Sequence, residues 1–259
     1  MARIFFFSGE GNSLAIARRL GRELDAEVSS IVAYLRNPYP VDDEVVGVVT
    51  PVYCTELPPV VASFLEKVDL KGDPYLFAVA NMGGVAGDTL GQAGNILAKR
   101  GREFDAGFTV LLPDSSIVFA SPEKLKRKML DGFDAKLDEI AGTVRERMKN
   151  HKCLTRNPVW MAANKIGWLV LDSVLKVKDR KVDSAKCVGC GTCASVCPAD
   201  CITMVDGLPR FGEGCLSCFG CAQWCPAGAV SLGRLTPNDR TRYHHPDITP
   251  EELAEANRK

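Results

Sequence analysis

Chemistry in this chain concentrates between residues 187 and 226, where Cys187, Cys190, Cys193 and Cys197-Pro198 recur as Cys215, Cys218, Cys221 and Cys225-Pro226. Both runs read C-x2-C-x2-C-x3-C-P, a spacing that holds 4Fe-4S cubes. A short loop with a thiolate at every third residue wraps three corners of a cube while its amide N–H groups point at the sulfides. Gly189, Gly191 and Gly220 let the backbone come close, since no Cβ intervenes. Proline after the fourth cysteine disfavours helix there and turns the chain away. Zinc matches less well, because zinc ribbons set two C-x2-C pairs around a longer spacer, with four ligands to each ion. Disulfides are not expected: Met1 to Phe7 is a short apolar run with glycine-rich loop chemistry starting at Ser8, unlike a secretory signal. The chemistry expected of this region is single-electron transfer.

The spacing resembles that of the bacterial ferredoxins, in which three cysteines of a run bind one cube and the fourth reaches across to the other. That resemblance implies one cluster on Cys187, Cys190, Cys193 and Cys225, and a second on Cys215, Cys218, Cys221 and Cys197, tying the two halves into one unit. Trp224, Phe211, Phe219 and Ile202 are expected to shield the clusters from water, one of the levers on reduction potential. Of eleven cysteines, Cys54, Cys153 and Cys201 are left over, and free thiols suit a reducing, cytoplasmic compartment.

At 259 residues the chain exceeds what such a unit needs, so a further domain is expected ahead of it. Apolar runs of strand length lie at Arg3 to Phe7, Val45 to Thr50, Tyr75 to Asn81 and Phe104 to Leu112, with Glu27 to Ile31 as a further strand. Between them, Asn12 to Leu24 carries apolar residues at helical spacing. Pro122 to Met148 reads as one long charged helix with Leu125, Met129, Phe133, Leu137, Ile140 and Val144 inward. Alternating strands and helices predict a parallel sheet covered on both faces. Pro158 to Val177 is apolar but interrupted by Asn164, Lys165 and Asp172, which predicts a helix packing the domains together rather than a transmembrane segment. Beyond Leu232 a polar tail is expected, in which the pair His244-His245 faces solvent.

The first strand-to-helix loop, Ser8-Gly9-Glu10-Gly11-Asn12-Ser13, puts glycines and small polar residues at a helix N-terminus, where free N–H groups and the helix dipole favour an anion; a plain helix cap would use the same residues. Its pattern resembles the phosphate loop of the flavodoxin family through Ser8, Gly11, Asn12 and Ser13. The resemblance extends to Thr50-Pro51-Val52-Tyr53 and to Asn81-Met82-Gly83-Gly84-Val85-Ala86-Gly87, each at a strand end. It implies an α/β fold: a flavodoxin-like doubly wound parallel sheet that binds FMN, followed by a small α+β two-cluster ferredoxin domain. The expected FMN contacts are Ser8, Glu10, Gly11, Asn12, Ser13, Pro51, Val52, Tyr53, Asn81, Met82, Gly83, Gly84 and Gly87, with Tyr53 stacking on the ring. The whole resembles the flavodoxin/ferredoxin fusion proteins of anaerobic microbes. The implied division is residues 1–150 for the FMN-binding domain, 151–179 for a helical linker, 180–235 for the clusters and 236–259 for the tail.

Glu10 departs from the pattern, standing where flavodoxins usually carry threonine. Unit charges about 4 Å apart repel by roughly 4 kcal/mol at an effective dielectric near 20. A carboxylate turned inward therefore weakens FMN binding, and Glu10→Thr is expected to tighten it; turned outward, it favours the helix N-terminus and leaves its backbone N–H for the phosphate. The glycine run Gly83-Gly84-x-x-Gly87 departs from G-x-G-x-x-G and follows a later strand, which reads as a flavin loop rather than a dinucleotide site. Cys54 has no basic neighbour to activate it.

Lysine and arginine together number 32, as do aspartate and glutamate, so no nucleic-acid footprint is present. No Ser/His/Asp arrangement or paired catalytic carboxylates stand out. The leading expectation is an electron-transfer iron-sulfur flavoprotein working with redox partner proteins. Two alternatives stay open: an FMN-dependent reductase of a quinone or nitro compound fed by its own clusters, and a non-catalytic redox-sensing module. Transfer within one chain or across a homodimer is equally open.

Overall fold

The computed structural model describes residues 1–114, 116, 120–155, 159–160, 169, 173–174, 176–235, 237–238 and 241–259. In chain order the first part runs β1 (Ala2–Phe6), α1 (Asn12–Leu24), β2 (Ala26–Ser30), α2 (Ile31–Arg36), β3 (Pro40–Val41), β4 (Val45–Pro51), α3 (Pro59–Lys67), β5 (Asp69–Leu70), β6 (Tyr75–Met82), α4 (Thr89–Ala98), β7 (Ala106–Leu111), α5 (Glu123–Asp131) and α6 (Phe133–Arg145). The five longer strands form one parallel sheet in the order β2-β1-β4-β6-β7, while the two-residue strands β3 and β5 pair with each other. Leaving that short pair aside, the order is 2-1-3-4-5, the flavodoxin-like doubly wound arrangement.

The alternation of side chains along β1 explains the two covered faces. Ile4 and Phe6 join the core under α1 and α6, whereas Phe5 and Phe7 join the core under α2, α3 and α4. In α1, Leu14, Ile16 and Leu20 are fully buried, each contributing about 1.5–3 kcal/mol of transfer free energy. The expected long helix is two helices meeting at Gly132, the residue that ends α5 and caps α6. The break shifts the inward face: Met129, Phe133, Leu137, Ile140 and Val144 are buried, but Leu125 is 40 % exposed.

The second part holds β8 (Arg180–Val182), α7 (Thr192–Ser195), β9 (Ile202–Val205), β10 (Leu208–Phe211), α8 (Gly220–Gln223), β11 (Val230–Leu232) and α9 (Pro250–Ala256). It is a small α+β unit in which β8 pairs antiparallel with β11 and β9 with β10, each cysteine run carrying one short helix. The C-terminal segment is not the expected polar tail. Tyr243, His245, Ile248 and Leu253 are buried against the first domain, and α9 begins with a capping box between Thr249 and Glu252. Its apolar residues are too sparse to announce a helix, and burial of their few side chains is decided by the surface they meet. His245 is 1 % exposed, and His244 stacks on Trp224 at 4.1 Å, so neither faces solvent freely as expected.

Most of the apolar stretch expected as an interdomain helix, including Met161, Asn164, Lys165, Ile166, Trp168, Val170, Leu171, Asp172 and Leu175, lies outside the described residues. Among the described residues no helix is long and apolar enough to cross a membrane.

Candidate functional site

The cysteines gather around two voids. Cys187, Cys190, Cys193 and Cys225 line one, with Met204, Pro209 and Ala229; Cys197, Cys215, Cys218 and Cys221 line the other, with Ile202, Phe219 and Leu232. The fourth cysteine of each run thus sits with the other run's first three, the crossed arrangement that two cubes need. Burial pushes the Cys193 thiol up to about 11, with Cys225, Cys190 and Cys187 adding to the rise. The Cys221 thiol is pushed up to about 12 by burial, then by Cys215 and Cys197. Thiols massed in apolar surroundings this way are poised to be held as thiolates by a cationic centre. Among the described residues no three His, Cys, Asp or Glu side chains converge as ligands of a single metal ion would, and none of the eleven cysteines is disulfide-bonded. Ligands spread around a void suit the corners of a cube.

A ninth thiol joins the second group. Cys201 Sγ lies 3.5 Å from Cys197 Sγ and accepts from the Arg180 guanidinium at 3.5 Å. Sequence reading left Cys201 as a spare thiol, although its place four residues after Cys197 on a short turn was the available signal. Of the expected shields, Ile202 and Phe219 line the second void and Phe211 packs in the same core. Trp224 instead reaches into the first domain, where its indole N–H donates to the carbonyl of Gly9 at 2.9 Å.

The glycines around the cysteines divide by role. Gly191 holds the left-handed conformation (φ 75) that opens α7, and in the second run the equivalent position is Phe219 (φ 61). A bulky side chain there carries backbone strain of about 1–2 kcal/mol. Gly220 is needed for another reason: a Cβ would stand 2.8 Å from the carbonyl oxygen of Gly9 in the first domain.

At the carboxyl ends of the sheet strands lies a cavity of about 450 Å³. From the expected flavin loops it is lined by Glu10 and Asn12, by Pro51, Val52 and Tyr53, and by Asn81, Met82, Gly83 and Gly84. Ser8, Gly11, Ser13 and Gly87 do not line it. Gly87 (φ 58) instead locks the second and third loops together, since a Cβ there would overlap Thr55, whose carbonyl accepts the N–H of Asp88 at 2.9 Å. Sequence reading missed Cys54 and Thr55, both left-handed, and Pro113, Asp114 and Ser116 of the loop after β7. That loop was legible in principle, because every parallel strand delivers its following loop to the same edge. It also missed the wall opposite, made by Ser217, Cys218, Phe219, Val177 and Leu235 of the cluster-bearing part. Tyr53 sits edge-on to Phe7 at 6.1 Å, and its phenol is raised well above its usual range by burial, then by Cys218 and Glu10.

Whether a flavin matches these residues has two answers. For a flat ring they match: Pro51, Val52, Tyr53, Met82, Phe219 and Leu235 give apolar wall to a cavity of about 450 Å³. For a phosphate two donors of the loop, the N–H of Gly11 and Nδ2 of Asn12, are already spent, while the Ser8 and Ser13 hydroxyls only accept. Ser8 Oγ accepts the N–H of Gly11 at 3.0 Å, and Ser13 Oγ accepts from Asn81 Nδ2 at 2.7 Å. Asn12 donates through Nδ2 to the Pro113 carbonyl at 3.3 Å and accepts through Oδ1 from the Tyr243 hydroxyl at 3.0 Å. The Glu10 carbonyl accepts the N–H of His245 at 2.8 Å. The C-terminal segment packs against the loop that sequence assigned to a phosphate, through Tyr243, His245 and Ile248.

Residues 180–203 match the family described as the 4Fe-4S binding domain. Among curated proteins nothing matches the chain. Similar solved structures include rubredoxin oxygen:oxidoreductase from the anaerobe Desulfovibrio gigas, at 15 % identity and TM-score 0.37, covering 56 % of this chain and 36 % of that one. A protein assigned as a flavoprotein from Bacteroides uniformis is similar at 10 % identity and TM-score 0.34, over 50 % of this chain and 97 % of its own. A flavodoxin from the domain Archaea is similar at 13 % identity and TM-score 0.32, over 56 % of this chain and 98 % of its own. This chain spans about a third of the Desulfovibrio gigas protein. The strand order and register carry the fold assignment: a flavodoxin-like sheet is followed, in one chain, by a ferredoxin-type 4Fe-4S domain.

Proposed function

We propose that the chain is an iron-sulfur flavoprotein that passes electrons between two 4Fe-4S clusters and a flavin ring held in the cavity. The observation that carries this reading is the shared wall: Cys218 and Phe219 line both the second thiol void and the cavity. When bound, the clusters supply one-electron chemistry and the flavin ring accepts one or two, which converts one kind of carrier into the other.

The chain's residues do the positioning. Cys187, Cys190, Cys193 and Cys225 would hold one cluster, and Cys215, Cys218, Cys221 and Cys197 the other. Phe219, Ile202 and Leu232 keep water from the second void, while the loops Pro51 to Tyr53 and Asn81 to Gly84 line the cavity. Cys190 is exposed and Val188 is 69 % exposed, so the first void opens to the surface where a redox partner protein docks. The second void faces inward, toward the cavity. Clusters held in these voids would exchange electrons with partners at the first group, and with a ring bound in the cavity at the second.

The test is the composition of full-length protein purified anaerobically and incubated with excess flavin. About eight iron and eight sulfide with about one flavin per chain is the expected result. Iron and sulfide at that level with no flavin retained, whether FMN or riboflavin is supplied, would sink the flavoprotein reading and leave a ferredoxin on an empty sheet domain.

A further inference from the structure

We propose that the cavity takes a flavin by its ring alone, with no phosphate at the N-terminus of α1, so that riboflavin binds this chain as well as FMN does. The proposal rests on the flavoprotein reading above and concerns which end of the ligand the chain grips.

A phosphate on a helix N-terminus needs donors turned toward it, room, and no carboxylate beside it. Two of the loop's donors are turned elsewhere: the N–H of Gly11 points at Ser8 Oγ, and the Asn12 amide bridges Pro113 and Tyr243. Room is denied by the C-terminal segment, since even a Cβ on Gly11 would lie 3.1 Å from Ile248 and 3.2 Å from His245. The segment is anchored in the sheet domain's own core, where Ile248 and Leu253 pack with Leu14 and Trp224, so lifting it exposes apolar surface. Glu10 lines the cavity at this end, 8 % exposed, close enough to Tyr53, Cys218 and Tyr243 to raise all three. A dianionic phosphate beside that carboxylate is repelled. The ring carries no charge to be repelled, and Pro51, Val52, Tyr53, Met82, Phe219 and Leu235 give it apolar wall in a cavity that also holds Asn81, Thr55 and Asp114.

Full-length protein carrying its clusters is titrated anaerobically with riboflavin and with FMN, following flavin fluorescence, and the bound FMN is examined by phosphorus NMR across pH. The expected result is a riboflavin Kd no weaker than that of FMN beyond about threefold. The phosphate of bound FMN is expected to titrate near its free second pKa of about 6. A larger preference for FMN, or a bound phosphate that no longer titrates, would overturn the proposal and leave the flavoprotein reading standing. Binding of neither flavin would overturn both.

Discussion

Phe219 is a strained left-handed residue that lines both the second thiol void and the cavity at the strand ends. Phe219→Gly should relieve about 1 kcal/mol of backbone strain but lose the packing of a half-buried ring, about 2 kcal/mol or more, so net stability should fall. It should also shift the second cluster's potential upward, because admitted water favours the more negative reduced cluster. Chemical denaturation and a redox titration read these effects, and an unchanged potential would show that the ring excludes no water. At the cysteines, Cys221→Ala should cut iron and sulfide per chain to about half, whereas Cys201→Ala should leave them near the parent level, because the void already has four other thiols around it. Gly9 has no positive φ yet cannot be changed quietly, since an added Cβ would come within 2.4 Å of the Cys218 carbonyl. Gly9→Ala should cost about 1–3 kcal/mol by overpacking and lengthen the Trp224 hydrogen bond, visible as a shift in tryptophan fluorescence.

At the scale of elements, the C-terminal strap is the part most sensitive to pH. His244 and His245 are held below their usual 6.5, first by burial, although Asp247 pulls His245 the other way. The unfolded strap therefore binds more protons, and docking weakens as pH falls below about 6.5. Glu252 adds a second stage: its carboxyl is held below 4.5 by the N–H of Thr249 and then by Arg18, whose guanidinium donates to it at 2.8 Å. That contribution is present above 4.5 and lost as pH falls through the lowered folded value. Hydrogen exchange at the amides of α9, corrected for intrinsic rates, should show protection falling in this order. Protection that rises on acidification would contradict it. Thr249→Ala should weaken the same amides by about 1 kcal/mol at neutral pH through loss of the helix cap.

For the molecule as a whole, the wall shared by the cluster-bearing part and the sheet domain predicts that electrons equilibrate within one chain. After partial anaerobic reduction the rate of equilibration should not change with protein concentration, and a rate rising in proportion to concentration would place the transfer between chains. The shared wall is built by long-range contacts that no local pattern announces: Trp224 on Gly9, Gly220 against the same carbonyl, and Arg36 paired with Asp200 at 2.7 Å. Strands were legible because a buried parallel strand must be a short apolar run, and β1, β4, β6 and β7 lie where those runs are. The break at Gly132 was less so, since one glycine inside a good helical pattern ends some helices and is tolerated in others. The cysteine spacing and the parallel sheet were determined by sequence alone, because ligand spacing and side-chain periodicity are local properties of a chain. The tertiary structure decided that the loop after β1 packs against residues about 230 positions away, and that part of the cavity's wall belongs to a cysteine-run loop. Those outcomes depend on which surfaces meet in space and which hydrogen-bonding groups are spent when they do.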